Sequence, residues 1–186
     1  MKKLLLTALC VLCLGILCAA ADNDAKNSLK ASLHGLNETP PVSTQSTGSF
    51  TGTISADGSS ISYTLTYTNL STQVLFSHIH FAFPKEAGGV MVFLCGPAAG
   101  SPGGPPAGFP NPPVCPDTTS GTVTGTITAA NVVGPLAQGI TPKVDFAKVV
   151  QVIREGASYV NVHSSQSPGG EIRGLVHATD GDRDDR

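Results

Sequence analysis

The chain reads as an all-β fold, an antiparallel sandwich or Greek-key barrel carrying one short helix. Three observations point there. Charged residues are only 13% of 186 positions, while Gly (21) and Pro (14) together make up about a fifth, a composition that favours turns and short strands over long solvated helices. Stretches of alternating apolar and polar residues recur at strand length, each bounded by turn residues. A single segment carries helical spacing instead. The length suits one domain able to bury its own core, and no repeat at solenoid spacing is visible.

The N-terminus has the layout of a secretory signal. Lys2 and Lys3 precede an apolar run from Leu4 to Leu17, and Ala19, Ala20 and Ala21 follow. A positive start, a short apolar stretch and a small-residue site together fit signal peptidase, with cleavage expected after Ala20 or Ala21, so that residues 1–21 form the signal. A retained anchor is the competing reading, since Leu4 to Ala21 is 18 residues and sits at the lower edge of a spanning length. Lipid attachment at Cys18 fits less well, because Leu17 stands where a small side chain is needed. The expected location is extracellular or periplasmic. Cys10, Cys13 and Cys18 leave with the signal, and the mature chain keeps Cys95 and Cys115. An even pair suits an oxidising compartment. The two bracket a Gly/Pro-rich loop, and closing a loop of about 20 residues stabilises by about 3 kcal/mol; two free thiols are the alternative.

The strands follow in order. Leu29, Ala31 and Leu33 alternate with Lys30, Ser32 and His34, and Glu38-Thr39-Pro40-Pro41 breaks the run. Gly48 to Ile54 forms a second strand, ended by the hairpin signal Asp57-Gly58. Ile61, Tyr63, Leu65 and Tyr67 then face one way, with Ser62, Thr64, Thr66 and Thr68 on the other face. Val74 to Phe83 and Val90 to Cys95 come next, and residues 96–117 form a long loop without periodicity. Gly121 to Thr128 resumes the alternation with Val123 and Ile127 on one face. Thr141-Pro142 supplies a capping hydroxyl and a proline at the first helical position. Phe146, Val149, Val150 and Ile153 fall at i, i+3, i+4 and i+7, and Gly156 closes the helix. Tyr159 to Ser164 and Glu171 to His177 are the last strands, so the folded domain is expected over 29–178 with a charged, disordered tail at 179–186.

Several function classes are disfavoured. A net charge of −2 with no tryptophan argues against nucleic acid, which needs clustered cations. The chain shows no nucleophile elbow, no phosphate-binding glycine loop and no paired carboxylates for sugar chemistry. The tail aspartates lack the glycine and glutamate of a calcium loop. Asn37-Glu38-Thr39 and Asn69-Leu70-Ser71 match the glycosylation acceptor pattern, which matters only in a eukaryotic secretory pathway.

One arrangement carries chemistry. His78 and His80 are two apart in a strand, so both rings leave the same face about 6.6 Å apart along it, within reach of one ion. His163 is the candidate third ligand, because Val160 and Val162 take the opposite face and leave Tyr159, Asn161 and His163 together. Three imidazoles with an open position make a catalytic-type copper or zinc site. The plainer alternative is a hydrogen-bonded cluster of histidine and asparagine without metal. Glu171 and Arg173, also two apart, are expected on one strand face, as a polar cross-strand pair or as an anionic-ligand contact through Arg173.

Six segments taken in order resemble the chordin-type (CHRD) domain. They are Glu38-Thr39-Pro40-Pro41-Val42; Tyr63-Thr64-Leu65 running into Asn69-Leu70; His78-Ile79-His80; Gly121-Thr122-Val123-Thr124-Gly125-Thr126-Ile127; Tyr159-Val160-Asn161-Val162-His163; and Pro168-Gly169-Gly170-Glu171-Ile172-Arg173-Gly174. The resemblance implies an extracellular domain of immunoglobulin-like character, found in the growth-factor antagonist chordin and as a stand-alone domain in secreted microbial proteins. Growth-factor binding does not carry over, since the cysteine-rich repeats that accompany the domain in chordin are missing. The Met1-Lys2-Lys3 start and lone-domain layout are closer to the bacterial group. The first expectation is therefore a secreted binding or structural module with an extracellular or envelope partner, outside the membrane once the signal is removed. The second is a single-site copper or zinc metalloprotein. His78-Ile79-His80 and Gly170-Glu171-Ile172-Arg173-Gly174 are also similar to segments of copper/zinc superoxide dismutase. That enzyme needs six histidines and an aspartate for two metals. This chain has five histidines, with His34 and His177 isolated, so one ion is the most it could hold.

Overall fold

The computed structural model describes residues 26–116 and 118–180. The expected signal (1–21) and tail residues 181–186 lie outside them. The elements are β1 (Ser28–His34), β2 (Thr47–Ile54), β3 (Ser60–Thr68), β4 (Val74–Phe81), β5 (Gly89–Cys95), β6 (Gly121–Thr128), α1 (Phe146–Arg154), β7 (Ser158–Ser164), β8 (Ile172–Leu175) and β9 (His177–Thr179). All pairings are antiparallel, in the order β5-β4-β7-β8-β1-β2-β3-β6, with β9 also on β1. The sheet curls into a nearly closed barrel. Its free edges, β5 and β6, meet where the Tyr63 hydroxyl on β3 donates to the Leu94 carbonyl.

The period-two reading holds through the first half. Leu29, Ala31 and Leu33 are buried while Lys30, Ser32 and His34 are exposed. Ile61, Tyr63, Leu65 and Tyr67 face inward together, joined by Val123 and Ile127 of β6. Burying each large apolar side chain contributes about 1.5–3 kcal/mol. Gly125 sits on the same inward face and cannot carry a side chain. A Cβ there would lie 2.5 Å from the Tyr63 hydroxyl, so the glycine leaves the space that the tyrosine fills on its way to Leu94.

Three local expectations need correction. The helix begins at Phe146, not at Thr141-Pro142. Lys143 adopts a left-handed φ of 60°, which no residue of a right-handed helix can, and gives its N–H to the Val132 carbonyl. Asp145 stands at the N-cap, and its side chain accepts the Thr141 N–H at 2.7 Å. The apolar face of the helix is as expected, with Phe146, Val149, Val150 and Ile153 all buried. The final strand is two strands, interrupted at the fully buried Val176, whose N–H turns to Ser158. Its second part reaches Thr179, which pairs with Ser28, so the ordered chain runs one residue into the segment expected as tail.

Cys95 and Cys115 are joined across 20 positions, closing the Pro/Gly loop at its root, where the Gly96 N–H also bonds to Pro113. Reduction is expected to lower unfolding stability by about 3 kcal/mol with the strand content unchanged. A urea midpoint identical in the reduced and oxidised protein would show that the loop is held without it. Among the described residues no helix is long and apolar enough to cross a membrane.

Candidate metal centre

Strands β4 and β7 are buried on both faces. Ile79, Val160 and Val162 point into the core cluster. Their neighbours in sequence populate the opposite face, where Phe76 pairs with His163, His78 with Asn161 and His80 with Tyr159. The register of this strand pair therefore sets three imidazoles side by side. His78 lies 5.0 Å from His163 and 5.3 Å from His80 by ring centroids, and His80 lies 6.5 Å from His163. One nitrogen from each falls within 4.8 Å of the others, and all three residues are buried. His34 and His177 are exposed on other strands and take no part.

The tautomers follow from the hydrogen bonds. His80 Nδ1 lies 2.9 Å from the Gly88 carbonyl, and His163 Nδ1 lies 2.9 Å from the Pro168 carbonyl. A carbonyl only accepts, so each Nδ1 carries the proton and each Nε2 keeps its lone pair. Carbonyls behind the ring commonly orient histidine ligands in this way. His78 has no hydrogen-bond partner on either nitrogen; Phe76 stacks on it at 5.0 Å and Phe93 meets it edge-on at 4.4 Å. His80 Nε2, His163 Nε2 and the Asn161 side-chain carbonyl are likewise buried without partners.

Burial keeps all three rings neutral. It pushes His78 down to about 2, helped by the nearby His163 and His80. It pushes His163 down to about 4 against the pull of the Pro168 carbonyl. His80 is lowered chiefly by burial, with the Arg173 charge adding to the effect. Neutral imidazole is the form that binds metal. Donors bound at 2.0–2.1 Å in a tetrahedral set are about 3.4 Å apart, so inward ring movements of less than about 1 Å would bring these nitrogens onto one ion.

The expected ligand contacts divide into two groups. Tyr159 is stacked between His80, at 4.7 Å and nearly parallel, and the Arg173 guanidinium, 3.4 Å from the ring centroid. Asn161 pairs in register with both His78 and Arg173. Glu171 stands apart, and the shared face with Arg173 does not form. Its carboxylate accepts from the hydroxyls of Thr44, Ser46, Ser71 and Ser164 and from the Ser71 N–H. Burial would raise this carboxyl, but the bonds from Ser164, Ser46 and Ser71 outweigh it and hold the group below its usual range. Glu171 lies before β8 begins at Ile172, so strand alternation does not govern it.

Sequence reasoning did not name Glu38 as a site residue, though it used it in the strand break, in a glycosylation acceptor pattern and in the first CHRD-like segment. The carboxyl of Glu38 is buried, with Oε1 unpartnered. It packs against Gly170, where φ is +128° and a Cβ would lie 2.4 Å from Oε1. Burial pushes it up to about 7, against the opposing effects of the Thr39 N–H and Arg173. Its glycine contact was legible only as an adjacent Pro-Gly-Gly turn.

The family described as CHRD domain matches residues 29–176 of the chain. No curated protein and no solved structure shows significant similarity to it.

Proposed function

From the premise that this chain belongs to the CHRD domain family, we propose that it is an exported binding module. Its ligand is a single copper or zinc ion held by His78, His80 and His163. One observation carries this reading: three buried imidazoles converge with their Nε2 atoms, or either nitrogen of His78, left without any donor. Leaving buried acceptors unsatisfied costs about 1–3 kcal/mol each, and one cation would satisfy all three. Imidazole suits both copper and zinc. The disulfide fits an oxidising compartment, consistent with export.

The test is elemental analysis of the purified protein after loading with copper or zinc and removal of excess metal. One equivalent per chain is expected, falling below a tenth of an equivalent in both His78→Ala and His163→Ala. A metal-free wild type, or variants that retain the full equivalent, would remove the metal reading and leave a scaffold without this ligand.

A further inference from the structure

Arg173 is 3% exposed, and the ion pair found among the described residues is Lys148–Asp145. No described carboxylate therefore lies within 4.0 Å of this buried guanidinium. Two of its five donors are used, one toward the Thr39 hydroxyl at 3.1 Å and one toward the Phe83 carbonyl at 3.3 Å. One face of the guanidinium is covered by Tyr159. A buried cation without an anion is costly, and the remaining donors form part of the fork that matches a carboxylate in bidentate fashion.

Beside Arg173 is a cavity of about 420 Å³, also lined by Glu38, Lys85, Leu36, Pro84 and Leu175. That volume falls in the range of small-ligand pockets, which combine apolar walls with a few convergent polar groups. We propose that this cavity is a binding site for an organic carboxylate with an apolar body, held by the Arg173 guanidinium and the Glu38 carboxyl, with its apolar part against Leu36, Pro84 and Leu175. In its protonated form, held below about pH 7, Glu38 can donate its O–H to the bound carboxylate. A monoanion matches the single buried cation. Free fatty or aromatic acids and the C-terminus of a peptide share this chemistry.

The test uses metal-free protein in the presence of EDTA, so that its outcome is separate from that of the metal site. Hexanoate, benzoate and an acetylated tetrapeptide with a free C-terminus are titrated by calorimetry, with hexanamide as the uncharged control. Saturable submillimolar binding of at least one carboxylate is expected, at least tenfold tighter than the amide, and the acid that binds identifies the source. Arg173→Lys is expected to weaken binding at least tenfold through loss of the fork. Because a variant at a buried arginine can fail to fold, Leu36→Asp supplies an independent arm. This position is 76% exposed, and a carboxylate there should weaken binding about tenfold by repulsion. Absence of saturable binding, equal affinity for hexanamide, or unchanged affinity in Leu36→Asp would each overturn the proposal.

Discussion

Metal-free protein should lose stability on mild acidification, with at least about one net proton taken up on unfolding near pH 5.5. The sign follows from the groups around the cluster. His78, His80 and His163 have folded pKa values below the ordinary histidine value, so below about pH 6.5 the unfolded chain binds protons that the folded one refuses. Each therefore withdraws stability as pH falls. Glu38 acts in the opposite direction. Its folded value is about 7 against 4.5, so between those limits the folded chain holds a proton that the unfolded one releases. His78 and His163 gain two protons against the one that Glu38 gives back, and His80 acts in the same direction as the other imidazoles, so the slope is at least about 1.4 kcal/mol per pH unit. Glu38→Gln removes the opposing contribution and should steepen the slope by about 1.4 kcal/mol per pH unit. Urea unfolding at half-unit pH intervals in the presence of EDTA reads both numbers. A stability that stays flat between pH 6.5 and 5 would mean that the imidazoles are solvated and the cluster is not built as described.

The second large effect is stabilisation by the ion itself. A ligand present at a hundredfold over its dissociation constant, and bound to the folded state alone, stabilises by about 2.7 kcal/mol. For a chain of this size that is a rise of about 5–10 °C in Tm. Copper or zinc added to metal-free wild type should produce this rise, and His163→Ala should abolish it while keeping the barrel. Phe76 packs on His163 at 4.6 Å, so the alanine variant also loses some packing, and its unshifted Tm must be compared with its own metal-free value. A rise of equal size in wild type and variant would assign the metal effect to some other part of the surface.

The strand pattern of β1, β3 and β6 was readable because a half-buried strand must alternate, and a one-residue slip would expose its whole apolar set. The same rule put His78 beside His80, and Tyr159, Asn161 and His163 on one face. It failed at the ends of elements. Lys143 bonds to Val132 rather than continuing a helix, and Val176 turns its N–H to Ser158; both choices depend on partners distant in the chain. Glu171 illustrates the same limit. Nothing in its local spacing signals the hydroxyls of Ser46 and Ser71, which lie 125 and 100 positions away.

Local periodicity thus specified which side chains face together within each strand, since that depends on backbone geometry over a few residues. The union of the 78/80 pair with His163 required the β4–β7 register, and the protons on His80 and His163 were set by carbonyls at Gly88 and Pro168. The juxtaposition of Glu38 and Arg173 came from loop packing beside β8. These features rest on long-range pairing and on loops without periodicity, and a single-strand pattern contains no term for either.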